Sequence, residues 1–316
     1  MTDTWTTLEV ESAQLCATDV MAITLVDPGG EPLPGWAPGA HIDVDLGAGF
    51  VRQYSLCGDP GDTGRWRIAV LRERAGRGGS ERVHSLVRAG VKLPVRGPRN
   101  HFPLVDADRY LFIAGGIGIT PILPMVRRVA AQGRPWTLRY GGRCRGAMAF
   151  VDELRAVPGG DLDVVPEDER GLLDLRAVLG SPTERTAIFC CGPERLIAAV
   201  EREAAHWPAG SLHRERFSAA LVDTGSGGGA FDVVLQRSGL RLTVPEYDSL
   251  LEVIESAGID VESSCRAGIC GTCLVRVCAG EPDHRDDVLS DDERARGDVV
   301  LPCVSRARGQ VLVLDL

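Results

Sequence analysis

The sequence predicts a multi-domain protein with an antiparallel β-barrel, a parallel α/β domain and a smaller third unit. Three observations support this fold class. The 316 residues exceed what one core usually fills, the local pattern changes near residue 104, and a Gly/Ser-rich stretch precedes the last third. The composition, 44% hydrophobic and 25% charged, is typical of globular proteins. Because no apolar run reaches the length of a bilayer span, we predict no membrane segment.

The first hundred residues alternate short β-like runs with turn clusters. The runs are MAITLV, HIDVDL, RQYSL and WRIAVL, and the turn clusters include DPGGEP and GDPGDTG. This alternation is typical of antiparallel strands joined by tight turns. We therefore predict a small β-barrel over residues 1–104.

From residue 105 onwards, strand-like segments alternate with helix-like ones. YLFIAGG leads into ITPILPMVRRVAAQG, TLRYGGR into AFVDELRAV, and TAIFCCG into PERLIAAVEREAAHW. This order predicts a parallel sheet with flanking helices over residues 105–222.

Residues 224–230 are almost all Gly and Ser, and residues 223–230 are predicted to be a linker. The third unit, residues 231–316, begins with the hairpin-like run FDVVLQRSGLRLTVPE and the helix-like run SLLEVIESAG. A loop rich in cysteine and glycine, CRAGICGTC, follows.

Four cysteines of this third unit have a distinctive spacing. Cys265, Cys270 and Cys273 form C-x4-C-x2-C, and Cys303 follows 29 intervening residues later. This is the spacing of plant-type [2Fe–2S] ligands, with Gly268 and Gly271 relieving crowding where the loop turns inward. Zinc ribbons usually have two C-x2-C pairs, although a zinc site or buried free thiols remain alternatives. A Rieske centre is set aside because the loop contains no His.

The remaining cysteines show no partnered spacing, and we interpret most of them as small core residues. They are Cys16, Cys57, Cys144, Cys190 and Cys278. The first thirty residues lack a basic start and an apolar segment, so a reducing cytoplasm is the expected location.

The negative charge is concentrated in the last third of the chain. Residues 223–316 carry nine Arg and seventeen Asp or Glu, which accounts for −8 of the formal net charge of −9. Nucleic acid is therefore not an expected partner. The acidic runs at 281–287 and 290–293 suggest a negative rim that could steer a basic protein partner, or simply a solvated face.

The turn AGGIGITP, residues 114–121, follows an apolar strand and opens a helix. Helix N-termini bind phosphate, so the turn is a candidate dinucleotide site. It lacks the third glycine of G-x-G-x-x-G, and YGGR rather than an acidic residue ends the next strand. A tight strand-to-helix turn without a ligand is the alternative.

Several short motifs recur in order along the whole chain. The sequence resembles the phthalate dioxygenase reductase type of the ferredoxin–NADP reductase superfamily, closest to reductase components of vanillate-demethylase-like Rieske oxygenases. The motifs that carry the resemblance are RQYS (52–55), GGS (78–80), RNHFPL (99–104), GGIGITP (115–121), CGP (191–193), ERF (215–217), the cysteine loop and CVSR (303–306).

The resemblance implies an FMN-binding barrel, an NAD-binding domain and a C-terminal β-grasp ferredoxin domain. It places Tyr54 and Ser55 against the flavin ring and Arg52 near the flavin phosphate. Another phosphate-binding set is Arg77, Gly78, Gly79 and Ser80, where open amides, a hydroxyl N-cap and a positive helix end suit an anion.

For the dinucleotide, the resemblance implies a binding set at two strand ends. Its members are Gly115, Gly116, Gly118, Thr120, Pro121, Cys191, Gly192 and Pro193. Cys191 is expected beside the nicotinamide and Phe217 near the flavin ring, so Cys191, Ser55 and Phe217 are the candidate catalytic residues.

The implied function is that of an NADH-dependent reductase component. Hydride passes from NADH to FMN, and single electrons pass through a [2Fe–2S] cluster to a separate Rieske-type oxygenase. A cytochrome P450 redox partner, or a terminal flavin enzyme acting directly on substrate, are the alternatives. The choice between NADH and NADPH stays open because Arg143 and Arg145 could meet the additional phosphate of NADPH.

Overall fold

The structure, a computed structural model, describes residues 4–47, 50–74, 78–217 and 229–316. The chain divides into two compact units, residues 1–217 and 218–316. The first unit contains the predicted barrel and the predicted α/β domain together. Most of the predicted linker, residues 223–228, lies outside the described residues.

The barrel is built from six antiparallel strands in the order β4-β3-β6-β1-β2-β5. The elements are β1 (Thr6–Ala17), β2 (Val20–Val26), β3 (Ala40–Asp45), β4 (Val51–Ser55), β5 (Trp66–Leu71), α1 (Gly79–Leu86) and β6 (Lys92–Asn100). The outermost strands β4 and β5 lie in contact, and the N–H of Cys57 donates to the carbonyl of Arg67 at 2.8 Å. The sheet therefore closes on itself, as predicted.

A buried ion cluster lies within the barrel. The Asp43 carboxylate, on β3, is fully buried and accepts hydrogen bonds from Arg96 at 2.7 and 3.0 Å, Arg99 at 2.6 Å and Gln53 at 3.0 Å. Burial alone would raise the pKa of Asp43, but the charge of Arg99 and the hydrogen bonds outweigh it and hold that pKa below its ordinary value. The cluster links β3, β4 and β6 at one side of the barrel.

The second part of this unit is a five-stranded parallel sheet in the order β11-β10-β7-β8-β9. Its strands are β7 (Arg109–Gly115), β8 (Trp136–Gly142), β9 (Gly160–Pro166), β10 (Thr186–Cys191) and β11 (Leu212–Glu215). Its helices are α2 (Ile119–Ala131), α3 (Val151–Arg155), α4 (Glu167–Arg170), α5 (Leu175–Leu179) and α6 (Glu194–Glu203). The direction of winding reverses between β7 and β10, and ligands of such sheets bind at the carboxyl ends beside that point.

The barrel and the parallel sheet share one hydrophobic core. Cys57 and Ala69 of the barrel are buried in the same cluster as Phe112 on β7 and Phe189 on β10. The contact between the barrel and the parallel sheet is therefore stabilised by burial of apolar surface, which has no preferred direction.

The second unit is a mixed five-stranded sheet in the order β13-β12-β18-β14-β16. Its elements are β12 (Phe231–Leu235), β13 (Leu240–Val244), α7 (Leu250–Ser256), β14 (Val275–Ala279), β15 (Pro282–Asp283), α8 (Asp291–Arg296), β16 (Val299–Val300), β17 (Arg306–Ala307) and β18 (Val311–Leu314). The predicted hairpin is confirmed, because β12 and β13 pair antiparallel, and β12 pairs parallel with β18. Leu250 and Ile254 of α7 are buried in the same core as Val233 and Leu312, which gives the expected β-grasp arrangement.

In the part of the chain that the structure describes, no helix combines the length and the apolar character needed to cross a membrane.

We predict that Asp43→Asn destabilises the first unit by roughly 3 kcal/mol, since the change removes a fully buried carboxylate charge that Arg96, Arg99 and Gln53 all contact. The lowered pKa of Asp43 means that its contribution is complete above the unfolded-state pKa and is lost as pH falls through the folded-state pKa. Urea unfolding at pH 7 and at decreasing pH measures both effects.

The matched control is Glu11→Gln, which removes one partner of an exposed bidentate pair with Arg65 in the same barrel. We expect a much smaller shift of the urea midpoint for this variant. Equal shifts for the two variants would contradict the role assigned to Asp43.

Candidate functional site

The cysteine loop folds so that its backbone turns inward three times. Arg266, Gly268 and Gly271 all have positive φ, at 51°, 69° and 71°. A Cβ on Gly268 would lie 2.7 Å from Val304 and 3.2 Å from the Asp286 backbone, so the loop tolerates only glycine there. The two glycines that the sequence singled out thus permit the tight loop.

The four thiols are arranged as two pairs. Cys265 shares a hydrogen bond with Cys270, and Cys273 shares one with Cys303. The hydrogen bond from Cys265 lowers the pKa of Cys270 to about 6, and that from Cys303 lowers the pKa of Cys273. The N–H groups of Ala267 and Thr272 donate to the sulfurs of Cys265 and Cys270 at 3.3 and 3.5 Å.

These features fit a binuclear cluster held by two thiolates on each metal. Backbone amides directed at the sulfurs of Cys265 and Cys270 favour thiolate ligands. Among the described residues, no group of three or more His, Cys, Asp or Glu side chains is placed to hold one metal ion.

The acidic runs behind this loop are exposed at Glu281, Asp287, Asp291 and Asp292, but several of their other members have local structural contacts. Asp286 is buried and accepts the N–H groups of Val288 and Leu289 at 3.0 and 2.8 Å. Glu281 pairs with Arg308 and Asp283 with Arg285, while Glu293 belongs to the capping box of α8. Asp286 and Glu293 therefore serve local structure, and the negative rim stays a prediction for the exposed members.

In the first unit, the turn after β7 packs directly against the turn after β10. A Cβ on Gly118 would collide with the carbonyl of Cys191, and one on Gly115 would lie 2.7 Å from Pro193. A Cβ on Gly192 would lie 3.0 Å from the Cα and the backbone N of Gly115. Glycine at these positions allows the two turns to meet backbone to backbone.

The remaining turn residues have different surroundings. Gly116 has a φ of 54°, and a Cβ there would meet nothing within 4 Å, so this side of the turn is open to a ligand. Thr120 is buried and its hydroxyl donates to the Ile117 carbonyl at 3.0 Å, which stabilises the turn. Pro121 is buried in the first turn of α2.

Three polar side chains meet at the carboxyl ends of β4, β10 and β11. Cys191 and Glu215 are register partners in the parallel sheet, and the Cys191 thiol donates to Glu215 Oε2 at 3.9 Å. Ser55 of the barrel also hydrogen-bonds to the Glu215 carboxyl group. Burial raises the pKa of Glu215 to about 8 and raises that of the Cys191 thiol well above its ordinary value.

Glu215 is a candidate functional residue that the sequence analysis did not assign. It appeared there only as part of the ERF motif, because a glutamate at a strand end is usually a solvated charge. Its position beside Cys191 and Ser55 depends on the pairing of β10 with β11 and on the barrel contact, and neither is visible in the sequence.

The predicted flavin residues lie along β4 and at the start of α1. Tyr54 is partly buried, and burial raises the pKa of its hydroxyl. A Cβ on Gly79 would lie 2.6 Å from Arg52 Nε, which shows that Arg52 lies directly against the amino end of α1. Phe217, at the end of the described part of this unit, is 41% exposed and available to contact a ligand.

The predicted hydroxyl N-cap is wrong. Gly78, with a φ of 81°, is the N-cap of α1, and Ser80 lies inside the first turn. The helix begins at Gly79, one residue before Ser80, so Ser80 is not in the capping position. Its hydroxyl instead accepts the N–H of Glu73 at 3.0 Å. Arg77 lies outside the described residues.

The two arginines after β8 differ in their surroundings. Arg145 forms a bidentate ion pair with Glu169 of α4, at 2.6 and 3.2 Å. Arg143 is exposed, and its carbonyl accepts the N–H of Asp168 at 3.2 Å. An acidic segment therefore lies beside the carboxyl end of β8.

We predict a stability slope that arises from Glu215. Its folded-state pKa of about 8 exceeds the unfolded value near 4.5, so unfolding releases a proton between these pH values. The free energy of unfolding should decrease from about pH 4.5 to pH 8 and then level off. Glu215→Gln should remove this component, which urea unfolding across that pH range measures. An unchanged slope in the variant would contradict the raised pKa.

Two family models match the chain. The 2Fe-2S iron-sulfur cluster binding domain matches residues 233–308, and the oxidoreductase NAD-binding domain matches residues 112–202. The first match includes all four paired cysteines, and the second includes both turns at the ends of β7 and β10. The chain therefore has an iron–sulfur domain and an NAD-binding domain.

Relatives match along nearly the whole chain. The vanillate O-demethylase oxidoreductase of Pseudomonas sp. (strain HR199 / DSM 7063) is 40% identical, covering 97% of this chain and 98% of its own. The structure of phthalate dioxygenase reductase, described as modular for electron transfer from pyridine nucleotides to [2Fe-2S], is 38% identical, with a TM-score of 0.73 over 99% of this chain and 98% of that one.

A longer protein is also similar. An intact type IV self-sufficient cytochrome P450 monooxygenase is 46% identical with a TM-score of 0.92, and the match covers 99% of this chain but only 41% of that protein. The identity over full length, the two domain matches and the shared fold lead to one conclusion. The chain is an oxidoreductase that belongs to the phthalate dioxygenase reductase type of the ferredoxin–NADP reductase superfamily, whose members include reductase components of oxygenase systems.

Proposed function

We propose that the protein is an NADH-dependent reductase component that holds FMN and a [2Fe–2S] cluster and delivers electrons to a separate Rieske-type oxygenase. The observation that carries this proposal is the meeting of Ser55, Cys191 and Glu215, which joins the predicted flavin strand to the predicted nicotinamide turn. When bound, a flavin would accept hydride and release electrons singly, and the cluster would carry one electron at a time.

The barrel residues suit a flavin mononucleotide. The guanidinium of Arg52 lies against Gly79 at the amino end of α1, where helix N–H groups and a positive charge favour phosphate. Tyr54 and Ser55 on β4 would bind the ring, Tyr54 through its aromatic face and Ser55 through its hydroxyl.

The dinucleotide would be held at the junction of β7 and β10. The open side of Gly116 permits a pyrophosphate to approach the backbone, and the amino end of α2 favours its negative charge. Cys191 and Gly192, packed against the first turn, would line the nicotinamide side.

Glu215 and Cys191 would keep this junction uncharged at neutral pH. With a pKa of about 8, Glu215 holds its proton on the carboxyl group, and the Cys191 thiol stays protonated because it is buried. Because both groups are neutral, neither places a negative charge that would repel the hydride being transferred at this site. Ser55 orients the carboxyl group through their hydrogen bond.

The paired cysteines would hold the two irons, one pair on each. Plant-type clusters have reduction potentials near about −400 mV and Rieske centres about −150 to +300 mV, so transfer to a Rieske oxygenase would be favourable. The relatives named as oxidoreductase of a vanillate demethylase and as reductase of a phthalate dioxygenase support an oxygenase partner.

A cytochrome P450 acceptor is the second candidate. It is favoured by one observation, the 46% identity to part of a self-sufficient P450 monooxygenase. Steady-state turnover with a purified Rieske oxygenase and with a P450, each supplied with its substrate, distinguishes the two acceptors.

We also propose a cytoplasmic location. All ten cysteines lie in the described residues and are free thiols, including the four proposed cluster ligands, and a reducing compartment maintains that state.

We predict that Cys270→Ser spares reduction of ferricyanide by NADH, because the flavin accepts hydride upstream of the cluster. The same variant should lose nearly all transfer to a cluster-dependent acceptor and lose the cluster signal in electron paramagnetic resonance. The control is Cys278→Ser, an exposed cysteine on β14 outside the paired set. Loss of both activities in Cys270→Ser would contradict the proposed order of transfer.

We predict that Glu169→Gln raises the ratio of kcat/KM for NADPH to that for NADH by about fivefold. The change frees Arg145 from its bidentate partner, so that the guanidinium can meet the additional phosphate. Steady-state kinetics with both nucleotides measures the ratio. Glu184→Gln, at a glutamate remote in sequence from β8, serves as the control. An unchanged ratio in Glu169→Gln would show that Arg145 does not face that phosphate.

A further inference from the structure

One carboxylate connects the barrel to the parallel α/β domain through two arginines. Glu153 on α3 accepts a two-bond fork from Arg67 of the barrel strand β5, at 3.0 and 2.9 Å. The same carboxylate accepts a hydrogen bond from Arg127 on α2 at 2.5 Å. We call these three residues the Glu153 clamp.

The Arg67 end of the clamp holds the chain just beyond the proposed flavin strand. Arg67 Nη2 donates to the carbonyl of Cys57 at 2.8 Å, and the Cys57 N–H donates back to the Arg67 carbonyl. Cys57 lies two residues after Ser55, at the end of β4. A shift of Arg67 would therefore move the segment that carries Tyr54 and Ser55.

The Arg127 end holds the helix that begins at the proposed dinucleotide turn. Arg127 lies on α2, which starts at Ile119 directly after the glycines that pack against Cys191. Nine of the thirteen residues of α2 are buried, including the whole first turn, so the packed helix connects Arg127 to that turn. Glu153 thus contacts the supports of both proposed binding sites.

Glu153 itself is held in place by an unusual backbone conformation. Phe150, the N-cap of α3, has a φ of 62°, which is costly for a residue with a bulky side chain. Its ring is buried in the shared core and lies 4.8 Å below the guanidinium of Arg67. Packing of this ring against Arg67 fixes the start of α3 and so the direction of Glu153.

The electrostatics of the clamp favour a persistent contact. Glu153, Arg67 and Arg127 have side chains 34%, 24% and 32% exposed, so solvent screens them only in part. Burial raises the pKa of Glu153, but the two arginines outweigh it and keep that pKa below its ordinary value, so the carboxylate is charged at neutral pH. A bidentate arginine–carboxylate fork also fixes an angle, which apolar packing does not.

We propose that the Glu153 clamp sets the orientation between the barrel and the α/β domain that hydride transfer requires, and that Arg67, Glu153 and Arg127 are positioning residues. The inference rests on the proposed function, transfer of hydride from a dinucleotide at the β7–β10 junction to a flavin on β4. Misplacement of reactants by about 1 Å can cost about 100-fold in rate, so a small rotation is enough to matter.

The test compares Glu153→Gln, Arg67→Met and Arg127→Met with wild type in the full-length protein. Stopped-flow mixing with saturating NADH measures the rate constant of flavin reduction, and titration measures the dissociation constant of NAD. We expect Glu153→Gln and Arg67→Met to lower the rate constant about 10- to 100-fold while the dissociation constant changes by less than about twofold. Arg127→Met should have a smaller effect, because the Arg67–Glu153 fork remains.

A readout independent of activity is hydrogen–deuterium exchange. Glu153→Gln and Arg67→Met should increase exchange in peptides covering residues 55–58 and 146–155, which lie on the two sides of the clamp. The matched control is Glu11→Gln, whose bidentate partner Arg65 lies within the same barrel. It should leave both the rate constant and the exchange unchanged.

Three outcomes would overturn the inference. They are a rate constant for Glu153→Gln within twofold of wild type, a larger effect of Arg127→Met than of Arg67→Met, or equal effects of Glu153→Gln and Glu11→Gln. The second would show that Glu153 acts only within the α/β domain. Failure of flavin reduction by NADH in the wild type and in Glu11→Gln would instead refute the proposed function, and the exchange experiment would still test the clamp.

Discussion

The close backbone contact between the turns after β7 and β10 is the constraint on which the first unit depends. Gly115, Gly118 and Gly192 lack the side chains that would separate these turns. Their contact brings Cys191 to the point where winding of the sheet reverses and places Glu215 beside it on β11. The raised pKa of Glu215 follows from this placement, since burial desolvates the carboxyl group and no cationic partner for it lies among the described residues.

In this unit, apolar packing holds the barrel and the sheet together, whereas directional polar contacts fix the angle between them. The shared core holds the barrel and the parallel sheet together, whereas the Arg67–Glu153 fork and the hydrogen bond from the Thr18 N–H to the Gly146 carbonyl, at 2.7 Å, act at defined angles. Within the barrel, Asp43 has a similar task, because its carboxylate joins strands that are distant in sequence. The buried or partly buried charges of this unit thus lie where they fix the relative positions of strands and helices.

In the second unit, backbone conformation rather than side-chain packing defines the cysteine loop. Positive φ at Arg266, Gly268 and Gly271 turns the chain so that amides face sulfur. Nearby acidic residues support this arrangement from behind, as the buried carboxylate of Asp286 shows by capping two backbone N–H groups. An acidic sequence can therefore be structural, even where its charge pattern suggests a docking surface.

The sequence by itself determined the elements whose signal is local. Strands such as β2 and β5 are short apolar runs, each with a single polar residue, and the cysteine spacing alone indicated a plant-type cluster. Half of the residues of β1 are polar and β6 contains two prolines, so their local patterns are weak; β1 is a strand through its pairing with β2 and β6, and β6 through its pairing with β1 and β3. The tertiary structure alone decided that Glu215 joins Cys191 and Ser55, that Asp286 is buried, and that Glu153 links two domains. Burial and long-range pairing set the energy of a charged group, and neither is encoded in its immediate neighbours.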